Sequence, residues 1–127
     1  MKLLTDAHAL FWWPGDYSKL NPVAREAIAS PEALVYVSAV TVWEVAIKRQ
    51  VGKIRIDRDL VAEIATNGFV ELAISAKHAD AQGAGYLPRH NDDPFGRMLT
   101  AEAQIQGLPL ISRVGKFEAY GVPVLRA

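Results

Sequence analysis

Short apolar runs alternate with helical segments along almost the whole chain, and this alternation constrains the fold more than any other feature. The runs Lys2 to Thr5, Leu34 to Val37 and Leu108 to Ser112 each have the length of a buried strand, and a helix-compatible or turn segment follows each. Strands that alternate with helices form a mostly parallel sheet covered on both faces. The sequence therefore predicts an α/β fold with three layers, α/β/α, around a mostly parallel central sheet of four to five strands.

Helix boundaries are marked by residues that cap helices or break them. Asn21-Pro22 and Asp93-Pro94 each combine a good N-cap with a proline that suits the first helical position. Gly107 predicts the end of the helix that Asp93 begins. We expect Ser38 or Thr41 to cap the helix that carries Glu44. The weaker run Phe69 to Ala73 predicts an edge strand, and Val122 to Leu125 predicts a last strand.

Composition favours a single domain over residues 1–127. Half of the residues are apolar, which suffices for one core, and the formal net charge is zero. This balance gives no general support for nonspecific nucleic-acid binding, although a local basic patch is compatible with it.

The chain has no cysteine, which excludes disulfides, thiolate metal sites and a thiol nucleophile. No apolar run reaches the roughly 18 residues of a membrane span, and the opening is too short and charged for a signal peptide, so we expect a cytoplasmic protein.

Acidic residues follow the predicted strands at the edge of the sheet where α/β proteins bind their ligands. Asp6 directly follows the first strand, and Glu44 lies in the helix after the second. Asp92 and Asp93 stand at the start of the helix that leads into the Leu108 strand. Converging carboxylates suit Mg²⁺ or Mn²⁺, which can assist phosphodiester cleavage. The alternative for an aspartate at a strand end is a helix cap or turn, and position alone leaves the two interpretations about equally balanced.

Several motifs resemble, in order and spacing, the VapC-type toxins of the PIN-domain family. The first is the run from Leu3 to Trp13, which contains Asp6. The second is Val37-Ser38 with the segment from Thr41 to Lys48, which contains Glu44. The third runs from His90 to Leu99, and the C-terminal segments 109–117 and 120–125 complete a resemblance over essentially the whole chain.

This resemblance implies a metal-dependent endoribonuclease, the toxin of a type II toxin–antitoxin pair, with about four acids around Mg²⁺ or Mn²⁺. It further implies a homodimer, an antitoxin partner and an RNA substrate. Asp6 and Glu44 match two of the family's acids. The other two positions are occupied by Gly96 and Val114. Asp93, or Asp92, is a candidate for partial replacement, and the simpler role for Asp93 is the N-cap of its helix.

Other residues have both a functional and a structural interpretation. Serines at strand ends either orient a water or cap the next helix, and basic residues near the acids either contact phosphate or pair with those acids. These site-lining candidates are Ser38, Lys48, Arg97, Ser112 and Arg113. The basic cluster of Lys48, Arg49, Lys53, Arg55 and Arg58 is either a solvated face or a surface for the RNA backbone. For the tryptophans Trp12, Trp13 and Trp43, the sequence favours a place in the core or on a partner-binding face. For the histidines, it favours a structural role for His8 and surface or loop positions for His78 and His90.

Two hypotheses follow from different functional classes. The first is a ribonuclease in which Asp6 and Glu44 hold the metal and Asp93 contributes. The second is a catalytically impaired binding module that keeps the fold, the dimer and the antitoxin without cutting RNA. A phosphate-handling enzyme of another kind is disfavoured, because the sequence has no Gly-rich phosphate loop and no Gly-x-Ser-x-Gly elbow.

Overall fold

The computed structural model describes residues 1–12, 17–83, 93–112 and 115–127, without the side chains of residues 8, 11, 12, 17, 82, 83, 115, 116 and 119. The strands are β1 (Lys2–Thr5), β2 (Leu34–Ser38), β3 (Val70–Leu72), β4 (Leu110–Ser112) and β5 (Val124–Arg126). The α-helices are α1 (Ala7–Trp12), α2 (Pro22–Ala29), α3 (Ala39–Gln50), α4 (Leu60–Thr66), α5 (Ala76–Gly83) and α6 (Pro94–Gln106), and 3₁₀ helices span Tyr17–Lys19 and Gly115–Tyr120. None of the helices in these ranges is long and apolar enough to cross a membrane.

The five strands form one parallel sheet in the order β3-β2-β1-β4-β5. The chain builds outward from β1 to β2 and β3, then returns to the other side of β1 for β4 and β5. Thr5 at the end of β1 therefore lies opposite both Val37 of β2 and Ile111 of β4. The point between β1 and β4, where the strand order reverses, is where open α/β sheets form their ligand crevice. The predicted α/β class with a mostly parallel sheet of four to five strands is confirmed.

Local signals place most helix ends close to their predicted positions. The side chains of Asn21 and Asp93 accept hydrogen bonds from the backbone N–H groups of Val23 and Phe95. Gly107 ends α6 in the left-handed conformation, with φ of 65°, which only glycine adopts at little cost. Ser38, and not Thr41, caps α3.

The strands predicted from Phe69, Leu108 and Val122 are all shorter in the structure, and the first of them spans Val70–Leu72. The strands predicted from Leu108 and Val122 begin at Leu110 and Val124. Both of these strands are preceded by a proline, which lacks the N–H that a strand ladder uses.

The core lies on both faces of the sheet, as the three-layer prediction requires. Alternate strand residues point to opposite faces, so Leu3 and Leu4 belong to different core clusters. On the Leu4 face, α3, α6 and the second 3₁₀ helix contribute the buried side chains Val40, Leu99, Ala103, Phe117 and Tyr120. On the Leu3 face, α1 and α2 contribute Ala9, Ala24 and Ile28. This arrangement holds α3 and α6 together on one face, above the end of β1.

His78 is buried at 2% exposure, so the predicted surface or loop position is wrong. It lies on α5 three residues after Ser75, and the two residues exchange hydrogen bonds. The Ser75 N–H donates to Nδ1, and the His78 N–H donates to the serine Oγ, at 3.0 and 3.1 Å. This is a capping box in which histidine takes the place of the usual glutamate. Burial, together with the charge of Lys77, lowers the pKa of His78.

Candidate functional site

Asp6 lies at the switch point of the sheet and is held on both of its carboxylate oxygens. Ser112, the last residue of β4, donates its hydroxyl to Oδ2 at 2.7 Å, and the Ala9 N–H donates to Oδ1 at 3.1 Å. The Asp6 backbone N–H donates to the Ile111 carbonyl at 3.0 Å. Asp6 is 6% exposed and Ser112 is fully buried. The aspartate is thus a helix cap, as one interpretation predicts, and it is also fixed against the neighbouring strand.

A cavity of about 250 Å³ opens beside Asp6, between α3 and the start of α6. It brings together three predicted acidic residues from three elements: Asp6 after β1, Glu44 on α3 and Asp93 before α6. Lys48 and Gly96 also line it. Residues far apart in the sequence therefore meet at the carboxyl edge of the sheet, as the positions of the acids after the strands predict.

Glu44 reaches the cavity because α3 starts at the end of β2 and Ser38 fixes its first turn. Ser38 Oγ accepts from the Val40 N–H at 3.0 Å, and Glu44 lies about one and a half turns further along. Its carboxylate accepts a hydrogen bond from Lys48 Nζ at 2.9 Å, a pair spaced by four residues. The Lys48 side chain is 45% exposed, so this pair is a weak surface interaction and leaves both groups accessible.

Asp93 is the N-cap of α6, the simpler of the two roles that the sequence left open, and it also borders the cavity. Its Oδ1 accepts from the Phe95 N–H at 3.1 Å, so it caps α6, and the same residue lines the cavity. Gly96 stands in the first turn of α6 and also faces the cavity. The position at which the resemblance implies a third acid is therefore on the cavity wall, but it carries no side chain.

Among the described residues, three acids border the cavity, namely Asp6, Glu44 and Asp93. In the described ranges, no set of three or more histidine, aspartate or glutamate side chains is arranged to hold a metal ion. Mg²⁺ commonly takes one or two protein carboxylates and keeps water on its other positions. Asp6 and Glu44 supply such a pair, and both carboxylates border the cavity. A second ion would need carboxylates that Gly96 does not provide.

Two of the predicted site-lining residues point elsewhere. Ser38 and Arg97 are both buried, and neither is among the described residues that line the cavity. Ser38 caps α3 and donates to Glu102, while Arg97 Nη1 lies 3.5 Å from the Tyr120 hydroxyl. Ser112 acts on the site through Asp6, and Lys48 borders it directly. Arg113, Val114, Asp92, His90 and Trp13 lie outside the described residues, and so do the side chains of His8 and Trp12.

Trp43 is 58% exposed, so a place in the core is wrong for this residue. It follows Val42 on α3 at a helical position that turns away from the sheet. Its indole contacts the Phe95 ring edge to face, with centroids 5.3 Å apart. Phe95 lines the cavity, so the pair joins α3 to the start of α6 at the rim of the site.

Glu102 is a residue of this region that sequence reasoning missed. It lies on α6, is fully buried, and accepts a hydrogen bond from Ser38 Oγ at 2.5 Å. Its second oxygen, Oε2, has no hydrogen-bond partner among the described residues. Burial raises its pKa to about 7, against the opposing effect of the Ser38 hydrogen bond. One sequence signal could have indicated its burial. Glu102 stands between two alanines, Ala101 and Ala103, and three residues after Leu99, which places it on the apolar face of the helix.

Comparisons with known proteins address the fold. No family model and no curated protein matches the chain. Solved structures do match, over nearly the whole length of both chains. A toxin–antitoxin complex from Klebsiella pneumoniae has a TM-score of 0.64 at 22% identity, covering 98% of this chain and 96% of its own. FitAcB from Neisseria gonorrhoeae gives 0.62 at 22% identity, with 99% and 97% covered. VapBC2 from Rickettsia felis, bound to a DNA fragment from its promoter, gives 0.67 at 11% identity, with 98% of each chain covered.

The chain has the fold of these toxin–antitoxin proteins. This confirms the predicted PIN-like fold, and the resemblance found in the sequence motifs agrees with structures to which the chain is at most 22% identical. The parallel order β3-β2-β1-β4-β5 puts Asp6 at the centre of that fold. The fold shows where the candidate site lies, but its chemistry depends on the side chains that line the cavity.

The buried Glu102 predicts a specific pH dependence of stability. Because its folded-state pKa is raised from 4.5 to about 7, the folded protein keeps a proton that the unfolded chain releases across this window. The free energy of unfolding should therefore fall as pH rises from 5 to 8, by up to about 3 kcal/mol from this group. Glu102→Gln removes the titration and keeps the acceptor for Ser38.

Urea denaturation of both proteins at pH 5 and pH 8 measures this effect. The stability of the original chain relative to Glu102→Gln should decline between the two pH values, and the effect of His78 cancels in the comparison. The exposed Glu26→Gln variant serves as a control and should follow the original chain. Parallel pH curves for the original chain and Glu102→Gln would contradict the assignment.

Proposed function

We propose that this chain is the toxin of a toxin–antitoxin pair, a metal-dependent endoribonuclease with a reduced acidic site. The observation that carries the proposal is the convergence of Asp6, Glu44 and Asp93, from three separate elements, on one cavity at the switch point of the sheet. A cavity bordered by carboxylates and a lysine suits a divalent ion and a phosphate group together. RNA phosphodiesters are the substrate class that the sequence motifs imply.

Each residue of the cavity has a defined part in this proposal. Asp6 and Glu44 hold Mg²⁺ or Mn²⁺, and Asp93 adds negative charge to the same cavity. When bound, the ion orients a water and stabilises charge that develops on the phosphate. Ser112 fixes the direction of the Asp6 carboxylate, since its hydroxyl donates to Oδ2.

Basic residues beside the cavity fit the phosphate backbone of RNA. Lys48 borders the cavity and is nearly half exposed, so it can exchange the Glu44 carboxylate for a phosphate oxygen. Exposed basic residues continue from there over the end of α3 and the following loop, namely Arg49, Lys53 and Arg55, with the half-buried Arg58 beside them. Contacts of this kind position a nucleic acid without reading its sequence. Arg97 is excluded from this group, because it lies buried beside Tyr120.

The partners belong to the same proposal. Structures with this fold include a toxin–antitoxin complex from Klebsiella pneumoniae and VapBC2 bound to promoter DNA. We propose an antitoxin protein as the partner of this chain and a homodimer as its assembly, in the cytoplasm where its RNA substrate lies. Several large apolar side chains remain exposed on the single chain, including Trp43, Val51 and Val61, which is compatible with such partners.

The first test is cleavage of RNA with and without Mn²⁺. The original chain should cleave RNA only when the metal is present, and Asp6→Asn should lower the rate at least about a hundredfold, because the neutral amide is a poor ligand for a hard cation. Glu32→Gln is the matched control and should retain full activity, because Glu32 is exposed and lies beside the start of β1 and β2, at the other end of these strands from Asp6. Cleavage that survives Asp6→Asn would show that the site is assigned wrongly.

A second function is favoured by a specific observation, the absence of a side chain at Gly96 on the cavity wall. Together with the lack of a three-acid metal cluster among the described residues, it supports a binding module that holds an antitoxin without cutting RNA. In this account, Lys48 neutralises Glu44 and the cavity is a vestige of a nuclease site. The fold, the dimer and the antitoxin surface are unaffected by the missing acids.

Restoring the acids distinguishes the two functions. If the chain is an impaired module, the double variant Gly96→Asp, Val114→Asp should gain Mn²⁺-dependent cleavage and growth toxicity that the original chain lacks. If the original chain is itself a nuclease, it should cleave before the change and more rapidly after it. The control is Gly96→Ala, Val114→Ala, which changes both positions without adding a ligand. A folded double variant that is inactive, starting from an inactive original chain, would count against both accounts.

A further inference from the structure

The buried Glu102 carboxylate has no part in the chemistry above, yet its contact with Ser38 joins the two helices that form the cavity. Glu102 belongs to the third turn of α6, and Ser38 is the N-cap of α3. Both are fully buried, and Ser38 Oγ donates to Glu102 Oε1 at 2.5 Å. This is a short hydrogen bond between a hydroxyl oxygen and a carboxyl oxygen that are both shielded from water. The second oxygen of Glu102 has no partner among the described residues, so the burial of this acid carries a free-energy cost that a role in fixing the two helices would offset.

The contacts between α3 and α6 form a series of which this hydrogen bond is one end. Ser38 contacts Glu102, Val40 shares a core cluster with Leu99, and Trp43 packs on Phe95. As α3 advances, its partners on α6 move back toward the helix start, so the two helices run antiparallel. Glu44 follows Trp43 directly and therefore lies near the start of α6, where Asp93 and Gly96 border the same cavity.

The hydrogen bond also decides how Ser38 caps α3. A serine hydroxyl has one proton, and Glu102 accepts it, which leaves a lone pair of Oγ facing the Val40 N–H at 3.0 Å. Without the carboxylate, the hydroxyl is free to rotate toward a backbone carbonyl, and the cap is weakened. The first turn of α3 would then loosen, and Glu44 is carried on the next turn.

We propose that Glu102 is a positioning residue, whose hydrogen bond to Ser38 clamps α3 against α6 and sets the distance of Glu44 from Asp93 across the cavity. This inference rests on the proposed function only for its consequence in catalysis, since the clamp itself is a property of the fold. It predicts that the length of the side chain matters and its charge does not. Glu102→Gln keeps the acceptor oxygen in place, whereas Glu102→Asp keeps the charge but falls one methylene short of Ser38.

Helices α5 and α3 both pack on α6 and carry titratable groups among the described residues. Helix α5, which packs on α6, carries the buried His78, whose Nε2 lies 2.9 Å from the side-chain amide of Gln106, one turn beyond Glu102. Because His78 Nδ1 accepts from Ser75, its proton is on Nε2 and the Gln106 oxygen must face it. On α3, Glu44 and Lys48 pair with each other. The test is therefore run at one fixed pH, so that none of these groups changes its charge between variants.

The first test measures the packing of α3 on α6 by NMR and does not depend on activity. The indole N–H signal of Trp43, assigned by its loss in Trp43→Phe, reports the contact between α3 and Phe95 in the NMR spectrum of the full chain. Glu102→Asp, Glu102→Ala and Ser38→Ala should each shift this signal, and Glu102→Gln should leave it in place. Glu26→Gln is the control for a charge change elsewhere. If Glu102→Ala does not fold, Glu102→Asp against Glu102→Gln still decides the result.

Activity supplies the second measurement. If the chain cleaves RNA, Glu102→Asp should lower kcat about tenfold or more with little change in KM, because Glu44 is misplaced. The double variant Ser38→Ala, Glu102→Ala should be no worse than either single variant, because both break the same contact. An unmoved Trp43 signal in folded Glu102→Asp, or additive effects of the two alanines, would overturn the clamp. If the original chain does not cleave RNA while the Trp43 signal shifts as expected, the nuclease proposal fails and the clamp stands.

Discussion

The hydrogen bond between Ser112 and Asp6 is the interaction on which the site depends. It joins the ends of β4 and β1, the two strands between which the sheet reverses its order. Burial of a carboxylate costs less free energy when its oxygens accept hydrogen bonds, and here the Ser112 hydroxyl and the Ala9 amide both donate to Asp6. One side chain therefore ends β1, begins α1 and faces the cavity. A substitution that changes its charge disturbs all three roles together.

The two helices above Asp6 determine what the cavity can do. Helix α3 brings Glu44 and Lys48, and α6 brings Asp93 and the bare wall at Gly96. The result is a site with enough carboxylate for one ion and a lysine at its edge. The glycine on this wall supplies no carboxylate, and for this reason both a nuclease and a binding module are proposed for the chain. The fold alone does not choose between them, because function resides in the side chains.

The sequence predicts those features whose cause is local. Asp93-Pro94 and Gly107 bound α6 because a cap and a left-handed glycine act on the adjacent turn alone. Asp6 could be placed because strand ends in parallel sheets meet at one edge. The strand starts at Leu110 and Val124 were predicted two residues early, because the apolar patterns extend beyond the pairing that the preceding prolines permit.

The features that the sequence did not predict depend on packing between distant elements. The burial of His78 and Glu102 follows from how α5, α6 and β2 meet, and neither residue has an apolar signature of its own. The exposure of Trp43 also depends on packing. The direction in which α3 leaves Ser38 decides which of its side chains face the sheet, and Trp43 faces away from it. Arg97 lies two turns before Gln104 on α6, and its burial beside Tyr120 brings together segments 23 residues apart.

Metal binding by Asp6 tests the account most directly. In a calorimetric titration of the full chain with Mn²⁺, the original protein should bind one ion per chain, and Asp6→Asn should abolish the heat of binding. The exposed Glu32→Gln variant should titrate like the original. Binding of the same stoichiometry and affinity by folded Asp6→Asn, or no binding at all by the original chain, would contradict a one-ion site built on Asp6.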